Sequence, residues 1–513
     1  DGLLYIALFN LFIESLIGFI LSFFNEKVQR RAVIIISVFI TLIFYSQIIY
    51  DKLFRMYWTF YSFFHSAQVT EFMGVILSTL KKNWPIILYS GMILVLTILL
   101  LRKATSVKRR EAIIAMVLSA LLFTSFTMIT KDNASSAYEL TFVRPEIKAT
   151  TYQTGLFSGM LTDTLQSLGA YYPKDLEIKR VDKEPNDKTG LFKDKNLIFI
   201  TAESFSTLAL HEKYTPTLYR LSKEGFQFEK YYNPLWEVST TDGEYALLTG
   251  LMPVSGIWSL NESVGKSMPY AMGNQFKKIG YDTRAFHNYN YDYYNRDQAH
   301  PNLGYDWEGI GNGLEITKEW PASDLEMIEA TVDSFIHEER FHTYYLTISA
   351  HMLYDDSSAM ARKNIHLIEE DFPEDYKHYL AANIELDKAV AYLLKRLEEE
   401  GRLEDTVLCL SGDHYPYALS NKALGVYRTP EVYHSTLLLY HPSLKGEKVN
   451  KVMGSLDVLP TLLNLFDIDY VPSYYAGRDV FSDREGFVNC LNRSFITDKG
   501  AFNSLQSQWR GET

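Results

Sequence analysis

The sequence predicts an N-terminal transmembrane α-helical domain followed by an extracellular α/β domain with a mainly parallel central sheet. Three observations carry this reading. The first 131 of the 513 residues hold four long apolar stretches, 3–24, 32–50, 84–101 and 112–130, each near the ~20 residues a helix needs to cross a bilayer. No comparable stretch follows Lys131. From Lys195 onward, short apolar runs alternate with amphipathic segments of helical period, as in strands joined by crossover helices.

Loop charge orients the apolar stretches. Lys27, Arg30 and Arg31 lie between the first two, and Arg102, Lys103, Lys108, Arg109 and Arg110 between the last two. Cationic loops stay on the cytoplasmic side, so everything after Thr130 is expected outside the cell. On this topology Asp1 also lies outside, which leads us to expect an earlier span before it. Segment 54–84, rich in Phe, Tyr and Trp, is expected at the membrane interface, with His65 in it an ordinary surface residue. The expected domains are 1–131 (four spans), 132–190 (an irregular external linker) and 191–513. In the linker, Ser135 and Ala137 fit the small-residue requirement of a signal-peptidase site; release after Ala137 is one expectation, a plain linker the blander one. A net charge of −12 with no basic stripe excludes a nucleic-acid partner. Two cysteines, Cys409 and Cys490, make no disulfide framework.

The elements of the second domain follow in order. NLIFITAES (196–204) is an apolar run ending in an acid. TPTLYRLSKEG (215–225) is a helix with Thr215 as N-cap, Pro216 at its first position and Gly225 closing it. VSTTDGEYALLTG (238–250) puts hydroxyls at a helix start, where free N–H groups favour anions. YDTRAFH (281–287) and YYLTISAH (344–351) read as strands ending in histidine. Helix 376–400 carries Leu386, Val390, Leu393, Leu394 and Leu397 on one face before Gly401 stops it. VLCLSGDH (407–414) is a buried strand ending in Asp413-His414, and DVLPTLLNLF (457–466) an Asp-capped helix.

Four apolar segments thus end in Glu203, His287, His351 and Asp413-His414. Parallel sheets bind their ligands beyond the carboxyl ends of the strands. A carboxylate pair with a histidine suits Mn2+ or Zn2+, and a threonine hydroxyl added to that set becomes a nucleophile at neutral pH. Thr240 and Thr241 are both candidates, and each reads equally well as an N-cap. Arg296, in NYDYYNRD, either clamps a phosphate through its forked donors or pairs with Asp292 or Asp297 on the surface. His287 and His351 either donate to the phosphate and shuttle protons to a leaving alcohol or simply close their strands. His300, His342 and His434 are expected to be structural. Together these residues suggest a two-step phosphoryl transfer through a phosphothreonine.

The motifs AESF (202–205), STTDGEY (239–245), FHNYNYDYYNRD (286–297), SAH (349–351), SGDHY (411–415) and DVLPTLL (457–463) resemble those of lipoteichoic acid synthases, a membrane-anchored branch of the sulfatase-like alkaline phosphatase superfamily. The resemblance covers nearly the whole chain. It implies metal ligands at Glu203, Thr240, Asp413 and His414, with Mn2+ the usual ion and Mg2+ or Zn2+ as alternatives. It also implies Thr240 as nucleophile, with Arg296 and His351 beside it, and a headgroup pocket of His287, Tyr294, Arg296 and His351. The implied reaction moves glycerophosphate from phosphatidylglycerol to a glycolipid or a growing lipoteichoic acid chain and releases diacylglycerol, at the cell membrane of a Gram-positive organism. Two positions depart from the pattern: Tyr294 stands where a tryptophan is usual, and Tyr289 where an aspartate helps hold glycerol. A polymerising synthase and a primase both fit. Among rivals, a sulfatase needs a Cys/Ser-x-Pro-x-Arg core, which STTDGEY lacks, and a two-zinc phosphatase needs a second Asp/His cluster. A phosphoethanolamine transferase shares the general plan but is usually richer in disulfides. A catalytically inactive lipid-binding sensor would have no need of all four metal positions.

Overall fold

Long uninterrupted apolar runs become long helices in the N-terminal part. A computed structural model describes residues 2–64, 73–101, 106–129, 136–143, 145–169, 178–425, 430–504, 506 and 508–512. His65, Arg102, Lys103 and Ser135 lie outside the described residues. Two compact units emerge, Asp1–Lys174 with Ser255–Ile257, and Asp175–Val254 with Trp258–Thr513. In the first unit, helices Gly2–Leu21, Glu26–Phe54 and Arg109–Ile129 are long and apolar enough to cross a membrane. The fourth expected span, Trp84–Leu101, follows a shorter helix at a 75° bend and makes a fourth crossing only if that bent pair counts as one span. Helices Gly2–Leu21 and Arg109–Ile129 pack through Tyr5, Phe9 and Phe12 against Phe123. Hydroxyl contacts Tyr5–Thr127 (3.1 Å) and Ser15–Ser119 (2.6 Å) join them as well.

Among the described residues, the stretch expected as an irregular linker contains two short α-helices, Ile147–Thr154 and Leu156–Ser167, and a π-helical turn, Glu139–Val143. The reason is local. Glu146 acts as N-cap, its carboxylate accepting from the backbone N–H of Lys148 and Ala149, and a capping glutamate is not among the residues that usually signal a helix start.

The second unit is built on strands β1 (Asn196–Ala202), β2 (Phe226–Phe228), β3 (Tyr231–Tyr232), β4 (Asp282–Asn290), β5 (Asp306–Ile310), β6 (Phe341–Leu346), β7 (Thr406–Gly412), β8 (Leu437–Tyr440), β9 (Lys448–Val449) and β10 (Met453–Gly454). Eight of them form one sheet in the order β5-β4-β6-β1-β7-β8-β2-β9. Only β8 runs against the others. The central strands β1, β6 and β7 are buried along their whole lengths, as expected when both faces of a parallel sheet are covered. Register puts Ala202 opposite Gly412, so the chain leaves β1 and β7 side by side. A smaller antiparallel sheet, β11 (Phe487–Asn489), β12 (Phe495–Thr497), β13 (Gly500–Asn503) and β14 (Gln508–Gly511), completes the unit.

Pro216–Glu224 and Glu374–Glu399 form where helices are expected, the latter burying Leu386, Val390, Leu393, Leu394 and Leu397. Thr215 precedes the first of them, but its side chain makes no cap bond; its hydroxyl donates to the Ala209 carbonyl at 2.6 Å instead. Asp457 precedes helix Val458–Leu465, but its side chain does not cap it. Its carboxylate accepts instead from the N–H groups of Gly454 (2.8 Å) and Arg478 (2.7 Å), tying two loops together.

Candidate active site

Four chain segments converge at the carboxyl edge of the central sheet. Glu203 follows β1 and Asp413-His414 follow β7, the neighbouring strand. His287 lies inside β4 rather than at its end, because that strand runs on to Asn290. His351 lies beyond β6, which stops at Leu346, and so belongs to a loop.

Glu203, Asp413 and His414 each offer a ligand atom, and these atoms lie within 4.8 Å of one another. Hydrogen bonds aim the ligands. Asp413 Oδ1 accepts from the N–H groups of Ser204 and His414, both at 2.8 Å, while its buried Oδ2 accepts no hydrogen bond. Ser204 Oγ donates to Glu203 Oε1 at 2.8 Å, with Ser204 itself held at a left-handed φ of 55°. Such backbone strain collects at functional sites. His414 Nδ1 donates to the Tyr415 carbonyl at 3.0 Å. A carbonyl only accepts, so Nδ1 carries a proton and Nε2 faces the carboxyl groups, 3.3 Å from Asp413 Oδ2 and 3.5 Å from Glu203 Oε1. Burial, and then the Asp413 carboxylate beside it, push the Glu203 carboxyl up to about 8. Two buried carboxyl groups and an imidazole whose Nε2 faces them are the donor set of a divalent cation, so the residues present fit such an ion.

Thr240 opens helix Ser239–Thr249. Its hydroxyl donates to Glu203 Oε2 at 3.3 Å and lies 3.5 Å from His414 Nε2. Thr241 points elsewhere, its buried hydroxyl bonding the Val238 carbonyl at 3.2 Å. No side chain caps this helix. Asp242, which burial pushes up to about 7, instead accepts from the N–H groups of Val238 and Ser259 and fixes the approach to the first turn. Two glycines permit the assembly: a Cβ on Gly243 would meet the Asp413 carbonyl oxygen at 2.1 Å, and one on Gly412 the Phe205 carbonyl oxygen at 2.2 Å.

Beside this cluster stand the other expected residues. Arg296 is buried and donates through Nε to Glu244 Oε2 at 3.0 Å, not to Asp292 or Asp297. His287 Nδ1 donates to the Leu346 carbonyl (2.9 Å) and His351 Nδ1 to the Met352 carbonyl (2.7 Å). Burial, and then the Arg296 charge, hold His287 down at about 3, and burial lowers His351. Both imidazoles are therefore neutral near pH 7, with Nε2 as the basic nitrogen. Tyr294 packs edge-on against Trp258 (5.1 Å), and Tyr289 against Trp320 (5.1 Å), which in turn meets His351 (4.8 Å).

Sequence reasoning did not single out Glu244 or Ser204; His300, expected to be structural, is buried against Glu244. Glu244 accepts from Arg296, from His300 Nε2 (2.8 Å) and from Tyr344 (3.1 Å). Its place one helical turn after Thr240 was the available signal.

With this geometry in hand, comparison with known proteins decides the family. Residues 195–468, just over half the chain, match the sulfatase family model. The chain belongs to the sulfatase family. Its sequence relatives include proteins named as synthases: it is 24% identical to the lipoteichoic acid synthase of Staphylococcus saprophyticus over 94% of this chain and 80% of that one. It is 25% identical to the lipoteichoic acid synthase-like YvgJ of Bacillus subtilis over 64% of this chain, spanning 57% of that protein's length. Lipoteichoic acid synthase LtaP from Listeria monocytogenes superposes with a TM-score of 0.55 at 21% identity, covering 64% of this chain and 90% of that one. A Vibrio parahaemolyticus protein of the alkaline phosphatase superfamily superposes with a TM-score of 0.50 at 18% identity, over 69% and 91%. These two structures bear out the fold expected from the alternating strands and helices. With synthases as sequence relatives and a donor cluster for a divalent ion, this sulfatase-family chain is a metal-dependent enzyme.

Proposed function

We infer that this protein transfers glycerophosphate from phosphatidylglycerol to a glycolipid or lipoteichoic acid acceptor, through a phosphothreonine at Thr240, on the outer face of the cell membrane. The observation that carries the reading is the Thr240 hydroxyl, 3.3 Å from Glu203 and 3.5 Å from His414, at the uncapped start of a helix. Glu203, Asp413, His414 and Thr240 would hold Mn2+, for which Mg2+ or Zn2+ are alternatives, and the ion would polarise the hydroxyl so that it ionises near neutral pH.

In the first step Thr240 Oγ1 forms a bond to phosphorus and the phosphorus–oxygen bond to diacylglycerol breaks. The threonine proton goes to solvent, and the departing diacylglycerol oxygen takes one up from solvent. Arg296 meets the phosphoryl oxygens, and His287, kept neutral, accepts from a headgroup hydroxyl while Tyr294 walls the pocket. In the second step an acceptor hydroxyl gives its proton to His351 Nε2 as its oxygen attacks phosphorus; the phosphorus–oxygen bond to Thr240 breaks, the freed threonine oxygen takes up a proton, and His351 returns its own to solvent. Cationic loops between the spans and the aromatic stretch 54–84 support a multi-pass chain whose second unit faces outward. The expected domains, 1–131, 132–190 and 191–513, belong to the same proposal.

Incubation of the purified chain with fluorescent phosphatidylglycerol and Mn2+ tests the reading. Diacylglycerol release is expected, and Thr240→Ala should lower it by roughly 10³-fold or more, as loss of a nucleophile does. Release that survives Thr240→Ala refutes the nucleophile. Turnover of phosphatidylethanolamine in place of phosphatidylglycerol moves the substrate to the phosphoethanolamine class, and binding without turnover moves the protein to the lipid sensors.

A further inference from the structure

Glu244 lies one turn beyond Thr240 on helix Ser239–Thr249, so the two side chains share a helix face. It is completely buried. Three donors converge on its carboxylate: Arg296 Nε at 3.0 Å on Oε2, with His300 Nε2 at 2.8 Å and Tyr344 OH at 3.1 Å on Oε1. The His300 ring is clamped in turn, stacked on Trp307 at 4.0 Å between centroids with 3° between planes. Arg296 is 2% exposed and bound through Nε, so its two terminal nitrogens are not spent on Glu244. A guanidinium gripped at Nε keeps its fork in one plane, and that fork recognises a phosphoryl group through two parallel donors. Burial alone would raise the Glu244 carboxyl, but Arg296 and His300 hold it at about 2, so it remains an anion at any working pH.

We propose that Glu244, braced by His300 and Tyr344, is the positioning residue that aims Arg296 at the phosphoryl group and holds it in fixed relation to Thr240. The helix is then a ruler: its first turn carries the attacking oxygen, and its second sets the clamp that holds the target. Glu244 itself touches no substrate. The proposal rests on Arg296 binding phosphate, as in the reading above, and extends it to the carboxylate that sets the clamp.

The test uses the full chain in detergent, with sn-glycerol 1-phosphate as probe, its binding read by tryptophan fluorescence. Mn2+ affinity is measured alongside. Glu244→Gln is expected to weaken glycerol-phosphate binding by about 10²-fold, the scale of loss for a misplaced binding group, with Mn2+ affinity within about twofold of wild type. Arg296→Gln should cost about the same, and the double variant no more than either alone, because both substitutions remove one unit. Glu244→Asp, which keeps the charge and shortens the reach, should show a smaller loss at unchanged melting temperature. It decides the case if Glu244→Gln fails to fold. Additive losses, or glycerol-phosphate and Mn2+ binding falling together, make Glu244 merely structural and overturn the proposal. A wild-type chain that binds no glycerol phosphate overturns the clamp altogether. A chain that binds it and shows the non-additive pattern, yet does not turn over phosphatidylglycerol, supports the positioning role and sinks the functional reading instead.

Discussion

Thr240 and Thr241 are chemically identical, and only helical phase separates them. Residue 240 turns its hydroxyl toward Glu203 and His414, whereas residue 241 returns its own to the Val238 carbonyl. That distinction cannot be read from two adjacent threonines at an uncapped helix start; the resemblance to known motifs named Thr240, and helical phase puts that hydroxyl beside the candidate ligands. The histidines were legible as residue types but not as protonation states, which depend on backbone carbonyls that no local pattern reveals. His287 illustrates the consequence. Its folded value of about 3 lies below the ordinary 6.5, so the stability it contributes is present above pH 6.5 and is lost as the pH falls toward 3. Buried carboxylates with raised values, such as Asp242 and Asp457, both at about 7, work in the opposite direction over part of this range. A difference between variants is therefore the useful measurement. Between pH 7 and 4.5 the melting temperature of His287→Gln should fall less steeply than that of wild type, and parallel slopes would show that His287 takes up no proton on unfolding.

At the scale of elements, the site depends on how closely a helix approaches a strand end. Gly243 lets the Thr240 helix lie against the Asp413 carbonyl, where an added Cβ would stand 2.1 Å away. Backbone on both sides leaves little room to yield, so Gly243→Ala should displace Thr240 from the cluster, with a stability cost of about 1–3 kcal/mol for overpacking. Calorimetry of the variant, together with its rate of diacylglycerol release, checks this: a variant as stable and active as wild type would show that the helix has slack. The strands after Lys195 were legible because a buried parallel strand reads as a short apolar run ended by a polar residue, and β1 and β7 fit that rule closely. His351 was expected at the strand end because the apolar character of 344–350 continues past the end of β6 at Leu346. Glu244 was not legible as a partner of Arg296, since 52 residues separate them and the contact exists only once β4 is in the sheet.

Across the whole molecule, a family match over residues 195–468 and synthase relatives reaching most of the chain agree with what the motifs suggested. The four apolar stretches were legible from length alone, but the bend before Trp84–Leu101 was not, because composition carries no angle. Ligand binding is linked to global stability, so the cation site makes a prediction at this scale. Mn2+ at 100 times its dissociation constant should stabilise the folded chain by about 2.7 kcal/mol, visible as a rise in melting temperature. Asp413→Asn, which removes one charge from the cluster, should abolish that rise. A full rise in the Asn variant would place the ion elsewhere.

The central claim is that Thr240 becomes covalently loaded, and mass spectrometry tests it most directly. The full chain, incubated with phosphatidylglycerol and Mn2+ without acceptor, then quenched in acid and digested, should yield the Thr240 peptide heavier by one glycerophosphate. Diacylglycerol release with that peptide unmodified, or with the added mass on another residue, would contradict the account.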